Sequence, residues 1–230
     1  MSSFQLNGVT ISVKRSARRK TMALKIHGDE VSLHLPKRLP LWLGKQFASK
    51  QQDWLQAKLR QVSLQPRRYF TADSQQPYLG QAYPLYLDPN LKQRRQITFN
   101  HQTFCLKLAT DSDAESIRKT LMRGYRQLAE SYLIDRCRQL AEQTGLQPAK
   151  IQLRQYKARW GSCNARGEVQ LNWLLIQAPP AVIDYVIIHE LCHLRQMNHS
   201  AKFWQLVEQF NADYRQQRYW LKQNGQQLML

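Results

Sequence analysis

Tyr185-Val-Ile-Ile-His-Glu-Leu-Cys-His-Leu-Arg-Gln-Met-Asn-His199 decides the reading of this chain. Within it, His189-Glu190-Leu191-Cys192-His193 has the H-E-x-x-H spacing of a helical metal site. Residues four apart share one face of a helix, so both imidazoles point the same way and suit a zinc ion. Glu190 projects about 100° further round the helix, within reach of a water on that ion. The expected role of Glu190 is general base. A catalytic zinc takes three protein ligands and leaves one position open. His199, six residues past His193, stands at the offset of the third ligand in the extended H-E-x-x-H-x-x-G-x-x-H pattern. Gln196 replaces that pattern's glycine, so the turn must be made differently, and Asn198 is the expected helix stop because it tolerates a left-handed backbone. Ile183, Val186, Ile187, Leu191 and Leu194 form a separate apolar stripe, which puts the histidines beside the core face.

Composition bounds the rest. At 230 residues the chain holds one or two domains with a real core. No run of eighteen apolar residues occurs, and the N-terminus lacks the apolar region of a secretory signal. Cys105, Cys137, Cys163 and Cys192 are widely spaced and read as free thiols in a reducing cytoplasm. The net charge of +18 suits an anionic partner, a nucleotide or a nucleic acid, or else a solvated basic surface.

Upstream of the metal segment, residues 4–35 alternate as short strands with turns at Gly8 and Gly28-Asp29. Lys14-Arg-Ser-Ala-Arg-Arg-Lys20 carries five basic residues in seven. On these residues alone it reads as a guard on a strand edge, with phosphate or carboxylate binding as the alternative. Residues 40–62 have helical spacing, and Pro66 and Pro77 bound a polar connection. Tyr78–Leu87 predicts a hairpin around Gly80, Ile97–Leu108 more strand, and the aromatics there packing surface. Residues 113–144 form the longest helical pattern, capped by one of Asp111, Ser112 and Asp113 and ended by Gly145. Ile151–Tyr156 and Glu168–Asn172 read as strands, Asn164–Gly167 as a turn, and Pro179-Pro180 as the opening of the metal helix. An exposed strand edge beside a metal holds an extended peptide by main-chain hydrogen bonds. Lys157 and Arg159 alternatively hold an oxyanion or a phosphate, and Trp160-Gly161 alternatively forms a tight loop on the core. Ser200 is the expected cap of a helix with Phe203, Trp204, Val207 and Phe210 inward, followed by a final packing helix from Tyr214.

These residues resemble a known family. Lys157-x-Arg159-Trp160-Gly161-Ser162-Cys163, Leu171-Asn172, Pro179 with Ile183-Asp184-Tyr185-Val186, His189–His193, and Asn198-His199-Ser200 with Phe203-Trp204 closely resemble the YgjP-like zinc metallopeptidases. Arg15-Ser-x-Arg18-Arg19 and Tyr78-Leu79-Gly80 are similar to that family's amino-terminal half. A proline the family often carries before the tyrosine at Tyr214 is absent, with Asp213 in its place. The resemblance implies a zincin-like catalytic domain related to SprT-type proteases. It also implies His189, His193 and His199 as zinc ligands and Glu190 as catalytic acid and base, and it marks the Trp160–Cys163 loop as a hallmark without a settled role.

The expected fold is α+β: a β-rich N-terminal segment with one helix over 1–110, then a zincin-like domain over 111–230 with helices, a small antiparallel sheet and the H-E-x-x-H helix. The expected function is a cytoplasmic zinc-dependent hydrolase, a metallopeptidase acting on protein or peptide. Another divalent transition metal fits the same ligands. Lys157, Arg159, Trp160 and Ser162 are the candidate substrate-binding residues. Two alternatives stay open. One is a metal-dependent nucleotide triphosphate phosphohydrolase. The other is a basic nucleic-acid-binding module with a structural zinc, disfavoured because a closed site needs a fourth protein ligand.

Overall fold

The computed structural model describes residues 2–27, 30–63, 69–89, 97–100, 102–108 and 111–229. The chain divides into two compact units, Met1–Arg68 and Tyr69–Leu230. Their boundary falls at 68/69, against the 110/111 expected from pattern. The reason is a shared core: Leu85, Leu87, Phe104 and Leu106 pack in one cluster with Ile117, Leu121 and Tyr125 of the following helix.

The first unit is a four-stranded sheet under two helices. Its strands are β1 (Ser3–Leu6), β2 (Val9–Ser16), β3 (Ala23–His27) and β4 (Glu30–Pro36), in the order β1-β2-β4-β3. Asn7 and Gly8 close the first hairpin with positive φ of 48° and 79°, the backbone an Asn-Gly turn supplies. β2 runs parallel to β4 and β3 antiparallel to it. Alternation sends Ile11, Val31 and Leu33 to one face, where Ala48 and Leu55 meet them from α1 (Leu41–Lys50) and α2 (Gln52–Ser63). The single helix expected over 40–62 is thus two, broken at Gln51, whose φ and ψ of −101° and 14° leave the helical region. Pro66 and the Gly28-Asp29 turn lie outside the described residues. Lys14 and Arg15 lie at the end of β2 that β1 does not reach, since β1 pairs only with Val9–Ser12, so the edge-guard reading stays open there. The Arg15 guanidinium also donates to the carbonyls of Lys37 and Leu39 at 3.0 and 2.8 Å, fixing the turn after β4.

The second unit begins with β5 (Gln75–Tyr78) and β6 (Gln81–Asp88), hairpinned through Leu79 and Gly80 at φ 48° and 78°. The stretch 97–108 is two strands, β7 (Ile97–Phe99) and β8 (Phe104–Lys107), because Asn100 Oδ1 accepts from the amides of Gln102 and Thr103 and turns the chain. The sheet order is β5-β6-β8-β7. Tyr78, Tyr83, Phe99, Phe104 and Tyr125 interlock mostly edge to face, so these aromatics are core. The long helix α3 (Ala114–Thr144) starts where Asp113 Oδ1 accepts from Ser116 N at 2.6 Å. It stops at Gly145 in the left-handed region, as its residues predict.

Then come β9 (Lys150–Arg154), β10 (Gly161–Cys163) and β11 (Glu168–Asn172), in the order β10-β11-β9. The small sheet is mixed, not antiparallel throughout. β10 and β11 form the antiparallel hairpin through 164–167, while the loop 155–160 carries the chain across so that β9 runs parallel to β11. A 3-10 helix, Trp173–Gln177, leads to α4 (Pro180–Cys192), then α5 (Ala201–Phe210) and α6 (Tyr214–Leu228). The expected apolar stripe of α4 understates its burial. Val182, Ile183, Tyr185–Ile188 and Glu190–Cys192 are all buried, so the helix runs through the core. The Arg136 guanidinium grips the Asp184 carboxylate at 2.7 and 2.8 Å and ties α3 to α4. The architecture is α+β with a β-rich N-terminal region. No helix among the described residues is long and apolar enough to cross a membrane.

Candidate metal centre

α4 is started by proline rather than by a side-chain cap: Pro179 is its N-cap and Pro180 its first residue. The hairpin tip of β5 and β6 fixes that start. The amides of Leu79 and Gly80 donate to the carbonyls of Ile176 and Gln177 at 2.9 and 3.2 Å. A Cβ on Gly80 would sit 2.8 Å from Pro179 Cα. At its other end α4 stops at Cys192, earlier than Asn198, and His193 is the C-cap. Asn198 has no left-handed backbone; its Oδ1 accepts from Ser200 N at 3.3 Å, and Ser200 makes no side-chain cap bond to α5. The turn is made by the main chain: Leu194, Arg195 and Gln196 amides fold back onto the carbonyls of Leu191 and Cys192.

That turn brings the three histidines together. One nitrogen from each of His189, His193 and His199 lies within 4.8 Å of the others. His189 Nε2 and His199 Nε2 are 3.0 Å apart, close to the roughly 3.3 Å that two nitrogens about 2.0–2.1 Å from one tetrahedral ion would span. His193 Nδ1 bonds the Gln196 carbonyl at 2.9 Å, an outer contact that fixes its ring and turns Nε2 toward the other two. All three rings rest on Phe203, which is fully buried, at centroid distances of 4.9, 4.5 and 4.9 Å. Trp204 stacks on the other side of His199 at 5.7 Å.

The electrostatics keep two of the imidazoles neutral. Burial, then the neighbouring His193 and His199, push His189 down to about 3. Burial likewise lowers His193. A neutral imidazole offers a lone pair, which is the form a metal requires. The donor set therefore fits a divalent transition metal. His189 Nδ1 is buried with no hydrogen-bond partner, so the outer-shell acceptor found at His193 has no counterpart there.

Glu190 is 6% exposed and faces strand β10. A Cβ on Gly161 would lie 2.6 Å from both Glu190 Cγ and Oε1, so glycine is what leaves room for the carboxyl. Burial raises Glu190 to about 8, and the Arg159 charge pulls the other way. The neighbouring Cys163 thiol is pushed up to about 11, by burial and then by Glu190.

The four candidate substrate residues separate. Lys157 and Arg159 are exposed, with Arg159 5.2 Å over the Tyr156 ring. Trp160 is half-buried, and a Cβ on Gly225 of α6 would lie 3.1 Å from its Nε1. Ser162 Oγ lies 3.1 Å from Tyr156 OH, which also donates to Gln170 Oε1. Trp160 and Ser162 thus have internal partners, and the two cations face solvent. Asn172, which the sequence marks only as part of a motif, is the clasp of this loop. It is fully buried, its Nδ2 donates to the carbonyls of Tyr156 and Arg159 at 3.0 and 3.1 Å, and its amide donates to Trp160 O at 2.7 Å. Arg218, 4.7 Å from the Trp204 ring, adds a positive charge that acts on His189 and carried no signal in the sequence.

A family model described as YgjP-like, metallopeptidase domain, matches residues 20–224. No curated protein matches the chain. Among solved structures, the crystal structure of the metallopeptidase zymogen of Pyrococcus abyssi abylysin matches at 23% identity, covering 39% of this chain and 93% of that one. The TM-score of that match is 0.34.

Proposed function

The chain belongs to the YgjP-like metallopeptidase family, and on that premise we propose that it is a zinc-dependent peptidase in which His189, His193 and His199 hold the ion and Glu190 moves the proton. The observation that carries this reading is the convergence of three nitrogens within 4.8 Å, with a buried carboxyl on the next residue of the same helix. The ion, when bound, supplies a Lewis acid that polarises a scissile carbonyl and makes water nucleophilic near neutral pH. Glu190 takes the proton from the attacking water and returns it to the leaving amine. Burial supports that task, because it holds the carboxyl near the pH at which it must both accept and donate. In the small sheet β10 pairs with β11 alone, so its free edge beside Glu190 suits an extended peptide. Free thiols at Cys105, Cys137, Cys163 and Cys192 support a reducing cytoplasm.

A second reading keeps the metal and changes the bond. Arg159 and Arg218 act electrostatically on Glu190 and His189, and neither has an ion pair among the described residues. Guanidinium groups so placed favour a phosphorylated substrate, as in a nucleotide triphosphate phosphohydrolase. A structural zinc is less favoured, because the ligand cluster among the described residues holds three groups and not four.

The deciding experiment is metal analysis of wild type and Glu190→Gln, with both assayed on unfolded protein, peptides and nucleoside triphosphates. Peptide hydrolysis lost in the variant with its metal retained supports the proposal. Turnover of triphosphates alone transfers the site to the second reading.

A further inference from the structure

The first unit carries most of the chain's charge. Fourteen of its residues are Lys or Arg and three are Asp or Glu, giving +11 of the total +18 in 68 residues. The sheet gives that charge a place. Directly paired residues share a face, and the register lines up Ser3, Ser12, Ser32 and Lys25 in one row across the four strands, and Lys14, His34 and Ala23 in the next. This face is opposite the one packed on α1 and α2 by Ile11, Val31 and Leu33. Its exposed residues are hydroxyl, amide or charged, and Lys14 and Lys25 are exposed.

We propose that this face is a nucleic-acid-binding surface on which Lys14, Arg19 and Lys25, gathered round His34, hold the phosphate backbone. Three observations converge. Burial and then the charges of Lys25, Arg19 and Lys14 lower the His34 pKa, so all three cations are within electrostatic reach of its ring. Ser32 Oγ lies 3.2 Å from His34 Nε2 in the middle of the cluster. Arg19 Nη1 makes no hydrogen bond within the fold, so the guanidinium beside His34 is not neutralised by a described acid. The described acid on the same face, Glu30, stands two rows from His34 and is not among the charges acting on it. A fork of N–H donors beside two ammonium groups matches phosphate oxygens better than a lone carboxylate. Among the described residues the face has no exposed apolar side chain that could enter a bilayer and no aromatic platform, so binding falls on the phosphate backbone and sequence preference is weak.

The test uses the full chain and a fluorescein-labelled oligo-dT of about 20 nucleotides, with anisotropy read between about 50 and 200 mM salt. Wild type is expected to bind with a steep salt dependence. Lys14→Gln with Lys25→Gln is expected to weaken binding about ten-fold. The same pair is expected to reduce the slope of log K on log salt by about 1.4, which is about 0.7 for each phosphate that no longer meets a lysine. Lys45→Gln with Lys50→Gln removes the same charge from α1, in the other layer, and is expected to stay within about two-fold of wild type. Arg19→Lys keeps the charge and removes the fork, for a loss of a few-fold. Circular dichroism of each variant confirms folding. Equal losses in the two double variants, displacement of the oligonucleotide by an equal charge of polyglutamate, or no binding at the low salt each overturn the proposal. No hydrolysis enters the readout, so a failure here and a failure of the peptidase reading are told apart.

Discussion

The two units close hairpins with the same backbone and put it to different use. Gly8 of the first unit and Gly80 of the second both take φ near 80°, each after a residue at φ 48°. A Cβ on Gly8 would meet nothing, whereas one on Gly80 would press on the Pro179 backbone that begins α4. The same contrast runs through the whole molecule. The first unit has a small core and displays lysines and arginines on its surface; the second buries His189 and Glu190 and shifts them to about 3 and about 8. Exposed charge is suited to long-range attraction, and burial shifts the groups it encloses.

The largest expected effect lies wholly in the second unit. Glu190→Gln is expected to lower kcat by about 10²–10⁴-fold, the usual worth of a positioned acid–base group, with metal content unchanged. Activity within ten-fold of wild type would remove Glu190 from the reaction. Oligonucleotide binding by the same variant is expected to be unaltered; a change there would mean that the two units do not divide these properties.

The paired turns come next. Gly80→Ala adds left-handed strain and overlap with the Pro179 main chain, and is expected to destabilise the second unit by about 2–4 kcal/mol. Gly8→Ala carries the strain alone and is expected to cost about 1 kcal/mol. Thermal melts of both variants check this. Equal losses would show that the approach of the hairpin to α4 contributes nothing.

Gly161→Ala probes the room around Glu190. The new methyl must displace a carboxyl 2.6 Å away, so kcat is expected to fall about 10–100-fold while metal content holds. Unchanged kinetics would show that the carboxyl works from another position.

Local signals were legible in the sequence, and long-range partners were not. Asp113 and Gly145 bound α3 because capping needs only the residues at hand. Spacing put His189 and His193 on one face for the same reason. Asn198 did not end α4, because main-chain bonds to Leu191 and Cys192 already turn the chain there. The mixed sheet was hidden because β9 and β11 pair across the loop and hairpin between them, and pattern within a strand does not name its neighbour. The boundary was hidden for a related reason: strands β5 to β8 look like more of the N-terminal β region until the α3 core they share is seen. The sequence shows Gly161 only as part of a motif; its reason is Glu190, which lies 29 residues on in the sequence.

The smallest expected effect is on stability, and it follows from the two opposed shifts in the metal-free protein. Glu190 has a folded value of about 8 against an ordinary 4.5, so between those values the unfolded chain holds fewer protons and stability falls as pH rises. His189 has a folded value of about 3 against 6.5, so between those values the unfolded chain holds more protons and stability falls as pH drops. The windows overlap from about 4.5 to 6.5, where these two slopes oppose each other, and His193, also lowered, adds to the loss as pH drops. Metal-free protein is therefore expected to be most stable near the upper end of that range, with a loss of at most about 1.4 kcal/mol per pH unit on the alkaline side from Glu190 and a steeper loss on the acid side. A bound cation favours the ionised carboxylate, so adding Zn²⁺ is expected to flatten the alkaline side. Urea titrations from pH 4 to 8, with and without the ion, check this. Metal-free stability that keeps rising through pH 8 would place the Glu190 carboxyl in water, and the second unit would then lose the burial that sets it apart from the first.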